Sequence, residues 1–186
     1  MATVEQTPAL TTAEQFARRP DSGFVEELVR GRIVMSPPPN RRHGFVCARI
    51  VYRLSRFLEE HPLGRVFGND SAIVTRRDPD TVRGADVAYY SFARLPVEAD
   101  NVGYGPETPE IVCEVLSPSD RWRNALEKAA EYLNAGVLVV VVLDPDRRTA
   151  HVFGVETPPV ALGPDDVLRF DAVLPGFEVA VGSLFE

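Results

Sequence analysis

The sequence is poor in the residues on which several kinds of site depend. Its two cysteines, Cys47 and Cys113, lie in apolar segments, which predicts reduced core thiols in a cytoplasmic protein and excludes a disulfide framework. Three histidines are too few to favour a zinc site built on imidazole, and no cysteine pair has zinc spacing. Walker A, Rossmann and His-Glu-x-x-His motifs are all missing. The chemistry left to this chain is that of carboxylates and lysine.

Long apolar runs are missing as well. The longest, at residues 136–143, is far shorter than the ~20 residues that span a bilayer. The first residues show no charged segment followed by an apolar one, so no secretion signal is predicted. The chain has 186 residues, 45% hydrophobic and 25% charged, which is typical of a globular protein and predicts one domain over residues 1–186. We therefore expect a cytoplasmic protein with no membrane partner.

The charge is unevenly distributed in both sign and residue type. The 20 basic residues are outnumbered by 27 acidic ones, which argues against a dedicated nucleic-acid binder. However, residues 41–58 contain five arginines and no acid, so this segment carries +5 within a chain of net charge −7. Of the basic residues, 19 are arginine, and Lys128 is the only lysine.

Periodicity and turn residues divide the first half of the chain. A hairpin is predicted with strands at 24–29 and 32–35, joined by a turn at Arg30-Gly31. A helix is predicted at 42–60, with an apolar stripe on one face. Arg49, Arg53 and Arg56 lie on another face, which is directed to water or to a partner. The other elements predicted here are a helix at 13–19, a second hairpin with strands at 65–68 and 71–76, and a strand at 86–90.

The second half contains a strand, a helix and a buried strand in succession, at 111–116, 121–135 and 137–143. This order is typical of a βαβ unit and predicts an α/β or α+β fold with a mixed central sheet. Residues Ser117 to Asp120 are expected to supply the turn and the N-cap of the helix. A strand at 149–153 and further short strands or turns are predicted to follow.

Three side chains are candidates for chemistry. Glu114 is the only polar side chain in an apolar strand, where an ionised carboxylate needs a partner or a metal unless the strand lies at an edge facing water. Asp86 opens a neighbouring strand, although aspartate is common at strand ends and turns without any function. Together with Glu114 it forms a pair of carboxylates on adjacent strands, which can share one hard divalent cation. Lys128 lies at the margin of the apolar face of the helix that follows Glu114; chance placement on the surface is the alternative.

Two further positions are left open by the pattern alone. Strand alternation places Glu26 on one face of the first hairpin and Glu27 on the other, without choosing between them. His43 lies near the start of the arginine-rich helix, where it is either a site residue or a helix cap or hydrogen-bonded buried histidine.

Several stretches resemble the Uma2 family of the PD-(D/E)XK, restriction-endonuclease-like superfamily. The most specific is Glu114 to Ser119 with Lys128 and Tyr132 on the next helix. The others are residues 12–16, 27–37 with His43, 85–88, 109–113, 136–137, 144–145 and 174–177. The resemblance implies a nuclease-like core, with N-terminal hairpins before a mixed sheet flanked by helices.

The resemblance also assigns roles to the candidate residues. Asp86 corresponds to the first motif carboxylate and Glu114 to the second, while Leu116 stands where the superfamily usually has its lysine. That lysine is expected to have moved to the following helix, as Lys128. Glu27, rather than Glu26, matches the family's N-terminal acid.

The function expected from these residues is metal-dependent cleavage of DNA. Mg²⁺ or Mn²⁺ would be held by Asp86, Glu114 and the backbone carbonyl of Val115. Lys128 would orient the attacking group or offset charge on phosphorus, and Glu27 would position a second cation or the attacking water. The residues expected to bind substrate are His43, Arg49, Arg53 and Arg56. The alternatives are a catalytically weak DNA-binding or assembly module and a hydrolase of a small phosphoester; a homodimer through an exposed hairpin is also left open.

Overall fold

The computed structural model of the protein describes residues 9–99, 103–118 and 120–186. Ten strands, three α-helices and a short 3₁₀ helix follow one another in these residues. The helices are α1 (Ala13–Ala17), α2 (Arg41–Glu60), α3 (Trp122–Asn134) and the 3₁₀ helix Val181–Leu184. The strands are β1 (Val25–Val29), β2 (Arg32–Ser36), β3 (Gly64–Arg76), β4 (Thr81–Ser91), β5 (Ile111–Val115), β6 (Val139–Asp144), β7 (Thr149–Gly154), β8 (Thr157–Leu162), β9 (Val167–Phe170) and β10 (Leu174–Ala180).

Eight strands form one mixed sheet in the order β2-β1-β4-β5-β6-β7-β8, with β3 also paired to β4. The β5–β6 pair is parallel and is connected through α3, as the βαβ pattern predicted, and the other pairs are antiparallel. Strands β9 and β10 form a separate two-stranded sheet. This architecture confirms the predicted mixed sheet with flanking helices and an N-terminal hairpin.

The two long helices cover opposite faces of the sheet. One buried cluster joins Val46, Ile50 and Leu54 of α2 to Cys113 and Val115 of β5. The other joins Ala129 and Tyr132 of α3 to Val112. Since alternate residues of a strand point to opposite faces, Glu114 shares the face of Val112 and lies beneath α3. This parity positions the carboxylate that the sequence singled out.

The second predicted hairpin is wrong, because residues 64–76 form one strand rather than two. The register between β3 and β4 shifts between Gly68 and Ser71, where the intervening Asn69 and Asp70 have φ values of 63° and 54°. Positive φ in an Asn-Asp pair is typical of a hairpin turn, but here it forms a bulge and β3 continues along β4. The partner strand β4 is correspondingly longer than predicted and starts at Thr81.

The predicted N-cap of α3 is also wrong. The cap position belongs to Arg121, which makes no side-chain capping hydrogen bond. The Asp120 carboxylate instead accepts a hydrogen bond from the backbone N–H of Ser117 at 2.7 Å, so it closes the preceding turn. Ser119, the other candidate in this stretch, lies outside the described residues. No helix in the part of the chain described by the structure is long and apolar enough to cross a membrane.

Replacing Leu54 by alanine tests the packing of α2. Leu54 is fully buried in the cluster between α2 and the sheet. We expect the Leu54→Ala variant to lose about 2–5 kcal/mol in the free energy of unfolding, because the cavity left in the core refills only in part. Urea unfolding measures the loss. Glu59→Ala, an exposed position on the same helix, is the control and should change stability by less than about 0.5 kcal/mol. Equal effects would contradict the packing described.

Candidate active site

The candidate site lies where the pairing along one edge of β4 is interrupted. Strand β1 pairs with β4 at Leu28 and Val82, whereas β5 pairs with β4 from Cys113 and Val87 onwards. Residues Gly84 to Asp86 therefore lie between the ends of two partner strands. Side chains supply hydrogen bonds at this gap in place of a strand partner.

Glu27 binds the backbone at the gap. Its Oε1 accepts a hydrogen bond from the N–H of Gly84 at 3.0 Å, and its Oε2 lies 2.9 Å from Nη1 of Arg83. Gly84 has little room for a side chain, since a Cβ added there would lie 3.0 Å from Cβ of Asp70. The alternation that left Glu26 and Glu27 undecided is thus resolved by geometry: Glu27 contacts the gap, whereas Glu26 is paired with Arg19 at 3.6 Å.

The ammonium group of Lys128 has three acceptors, one for each N–H. Nζ lies 2.9 Å from Oε2 of Glu114, 3.1 Å from Oε1 of Glu27 and 3.1 Å from the carbonyl oxygen of Gly84. Burial acts to lower the pKa of Lys128, but the Glu114 and Glu27 carboxylates outweigh it and raise that pKa. The only lysine of the chain is therefore held charged between the two acids.

Glu114 is enclosed on the side of α3. Its side chain is 13% exposed, and its Oε1 accepts a hydrogen bond from the hydroxyl of Tyr132 at 2.8 Å while Oε2 faces Lys128. Burial raises the pKa of Glu114 to about 7, against the opposing effect of Lys128. Tyr132 is completely buried, so its hydroxyl fixes the orientation of this carboxylate.

Asp86 connects the gap to α2. Its Oδ2 accepts a hydrogen bond from the backbone N–H of Val115 at 2.7 Å and lies 3.2 Å from Nε2 of His43. On the other side of the imidazole, Nδ1 lies 3.5 Å from Sγ of Cys47. Burial acts to lower the pKa of His43, but the hydrogen bond to Asp86 outweighs it and raises that pKa. His43 is therefore a buried, hydrogen-bonded histidine rather than a helix cap. It also lines the candidate site, through its contact with Asp86.

The ion-pair network extends beyond the predicted residues. Arg83 contacts Glu27 at one end of its guanidinium and binds Glu131 through Nε at 3.0 Å and Nη2 at 2.7 Å. Glu131 also accepts a hydrogen bond from the hydroxyl of Thr75. Burial acts to raise the pKa of Glu131, but Arg83 and Thr75 bring it below its usual range. Glu131 lies three positions after Lys128 and therefore on the same side of α3. This helical spacing is a signal in the sequence by which Glu131 could have been identified.

Asp70 is a further acid of the site that the sequence reasoning missed. Burial and the nearby Asp86 carboxylate raise its pKa. It lies in the bulge of β3, which the sequence pattern presented as a turn, so no signal separated it from an ordinary turn residue. Asp70 shares a pocket of about 170 Å³ with four of the predicted site residues, Glu27, His43, Asp86 and Lys128. The pocket is lined by residues of the first hairpin, both long helices, β3, β4 and the turn before α3, among them Glu26, Glu27, His43, Asp70, Asp86, Asp120 and Lys128.

The structure brings five of the predicted residues together and leaves three apart. Glu27, His43, Asp86, Glu114 and Lys128 converge at the gap in β4, and Val115 joins them through its N–H. None of the three arginines predicted to bind substrate lines this pocket in the part of the chain described. Arg49 donates two hydrogen bonds to the carbonyl oxygen of Ser183, at 3.2 and 2.9 Å, so its guanidinium is bound within the fold. Arg53 is half-buried and Arg56 exposed.

Comparison with known proteins gives two matches, one to a family and one to a solved structure. Residues 13–182 match the model of the Uma2 family, described as "Putative restriction endonuclease". The fold resembles the crystal structure of "a putative nuclease belonging to DUF820" from Anabaena variabilis ATCC 29413, with a TM-score of 0.78. That match has 18% identity and covers 94% of this chain and 97% of the other. No curated protein matches the chain. The resemblance predicted from the sequence and the fold class are confirmed.

Replacing Lys128 by methionine tests the ion pairs at the gap. We expect the free energy of unfolding at pH 8 to fall by about 3 kcal/mol, because two carboxylates lose their shared cation. Lys128 normally lowers the pKa of Glu114, so its removal raises that pKa further. A carboxyl group whose pKa is raised in the folded state destabilises the fold as the pH rises through that pKa. The loss in the free energy of unfolding should therefore be smaller at pH 5 than at pH 8.

Urea unfolding at the two pH values measures both effects. Lys128→Arg is the matched control, because it keeps the charge and should retain most of the stability at pH 8. A loss of the same size at pH 5 and pH 8 in Lys128→Met would contradict the electrostatic role.

Proposed function

Because the chain belongs to the Uma2 family, we propose that it is a metal-dependent endonuclease that hydrolyses phosphodiester bonds in DNA. One observation carries the proposal: the only lysine, although it stands on a helix, contacts both Glu114 and Glu27 at the gap where Asp86 lies. A cation beside several carboxylates suits metal-assisted phosphodiester hydrolysis, because the carboxylates can bind a metal ion and the cation can offset charge that builds on the phosphate.

The carboxylates fit a hard divalent cation. The β4–β5 ladder ends at the pair Val87 and Cys113, next to Asp86 and Glu114, and Asp86 reaches β5 by accepting a hydrogen bond from the N–H of Val115. The two acids are close enough for the Asp86 carboxylate to help raise the pKa of Glu114, after burial. Carboxylate oxygens are the ligands that Mg²⁺ and Mn²⁺ prefer. We propose that Asp86, Glu114 and the carbonyl of Val115 hold the ion.

Each residue at the gap then has a role in the proposed reaction. The bound ion would polarise the phosphate and lower the pKa of a water molecule. Lys128 offsets negative charge as it builds on the phosphate, because its ammonium is held in place by Glu114 and Glu27. Glu27 positions the attacking water, and His43 orients Asp86 or a phosphate oxygen. Glu114 is held for its role by Tyr132.

Contacts to DNA are proposed for the arginine-rich surface of α2. Arg56 is exposed and Arg53 half-buried, so both are available to phosphates, and each phosphate contact adds to a salt-dependent affinity. Arg49 contributes less directly, because the Ser183 carbonyl already binds its guanidinium. The net charge of −7 makes such a localised surface necessary for any binding to DNA.

A nuclease-like module without efficient cleavage is the second candidate. The observation that favours it is that both oxygens of Glu114 already have partners, Tyr132 and Lys128. A carboxylate bound in this way stabilises the fold even if it never binds a cation. The two experiments below separate this candidate from the enzyme.

Replacing Glu114 by glutamine should remove cleavage. We expect purified protein to nick supercoiled plasmid with Mn²⁺ or Mg²⁺ and to lose at least roughly 100-fold in rate in Glu114→Gln, because the carboxylate charge is lost at constant shape. Glu127→Gln, on the exposed side of α3, is the matched control and should cut at the rate of the natural chain. Cleavage that persists in Glu114→Gln would sink the catalytic assignment, and absence of cleavage in every preparation would favour the module.

Calorimetric titration with Mn²⁺ tests the cation site without requiring activity. The natural chain, freed of metal by a chelator, should bind Mn²⁺, and Asp86→Asn should weaken binding at least roughly tenfold because a charged ligand becomes neutral. Asp146→Asn is the control, since this exposed acid is paired with Arg42 away from the gap. Equal binding heats in the natural chain and in Asp86→Asn would rule out Asp86 as a ligand.

A further inference from the structure

A second group of metal-binding side chains lies on the α2 side of Asp86. His43 and Cys47 are four positions apart on α2, so they share one face of the helix. One ligand atom from each of His43, Cys47 and Asp86 lies within 4.8 Å of the other two. Among residues 9–99, 103–118 and 120–186, this is the one group of three such side chains that meets so closely.

The ligand types differ from those of the proposed hard-cation site. Imidazole nitrogen, thiolate sulfur and carboxylate oxygen together suit Zn²⁺, whereas Mg²⁺ avoids sulfur. Tetrahedral Zn²⁺ with bonds of about 2.0–2.3 Å has its ligand atoms about 3.3–3.8 Å apart, so the three side chains need to approach by roughly 1 Å. One imidazole nitrogen binds the ion, so only one of two short contacts is already in place: Nε2 of His43 lies 3.2 Å from Asp86, and Nδ1, on the other side of the ring, lies 3.5 Å from Sγ of Cys47.

We propose that His43, Cys47 and Asp86 form a site for a borderline-soft divalent cation such as Zn²⁺, with water as the fourth ligand. Binding forms one metal–sulfur bond and releases the thiol proton of Cys47 to water, with no change of oxidation state. Cys47 is partly buried beside His43, and His43 and Asp86 line the pocket, which provides the route of entry. The sequence reasoning excluded zinc because it considered histidines and cysteine pairs separately, and it treated Cys47 as a core thiol.

The position of this site implies competition between two ions. Asp86 belongs both to this group and to the proposed Mg²⁺ or Mn²⁺ ligands, so a Zn²⁺ ion bound to His43 and Cys47 withdraws one carboxylate from the other ion. Zn²⁺ is therefore expected to inhibit the nuclease at concentrations far below those of Mg²⁺. This consequence depends on the proposed function, whereas the Zn²⁺ site itself does not.

Cobalt provides a test that needs no activity. Co²⁺ takes the same ligands as Zn²⁺, and thiolate coordination gives it an intense near-ultraviolet charge-transfer band. We expect the natural chain to develop this band on titration with Co²⁺ and to lose it when Zn²⁺ is added. Cys47→Ser should abolish the band and weaken Zn²⁺ binding by roughly tenfold or more, because a ligand is lost.

Cys113→Ala is the matched control, since it removes the other thiol, which is fully buried in β5, and should keep the band. Circular dichroism establishes that both variants are folded. No band in the natural chain, or a band that survives in Cys47→Ser, would overturn the proposal. If the natural chain shows the band but never cuts DNA, the Zn²⁺ site stands and the proposed nuclease function fails. Failure of one proposal is therefore distinguishable from failure of the other.

Discussion

The site depends on one constraint: backbone polar groups that lose their strand partner must find another. Strand β4 has β1 along the first part of one edge and β5 along the next, and between them Gly84 presents an N–H and a carbonyl with no strand opposite. Glu27 accepts from the N–H, and Lys128 donates to the carbonyl. Burying these groups without partners would cost about 1–3 kcal/mol each, so the charged residues are held in place by the needs of the sheet.

The charges at the gap are arranged so that each buried acid has a cationic neighbour. Lys128 lies between Glu114 and Glu27, and Arg83 lies between Glu27 and Glu131. This succession of acidic and basic side chains explains how one face of the sheet tolerates several carboxylates under α3. Asp86 is the exception, because its neighbour is the imidazole of His43, whose charge depends on pH. The side of the site that faces α2 is accordingly less compensated, and it is the side on which an added cation gains most.

The sequence predicts most of the fold and about half of the site, for reasons that differ by residue. Helix α2 follows from local periodicity and strand β6 from a continuous apolar run, and Glu114 and Lys128 were found because each departs from its surroundings in type. Asp70 and Arg83 could not be found in this way. Their roles depend on a bulge in β3 and on the lateral order of β1, β4 and β5, which are non-local properties. The environment of Arg49 could not be predicted either, since composition cannot show that Ser183 would fold back onto it.

The gap also determines when the site comes into existence during folding. Glu27 and Gly84 are 57 residues apart along the chain, and Gly84 and Lys128 are 44 apart, so the contacts that close the gap are non-local. Such contacts form slowly, because the loops they close carry an entropic cost that only the finished structure offsets. A chain in which these contacts have not formed lacks the closed gap. Whatever chemistry the site performs is therefore confined to the fully folded molecule.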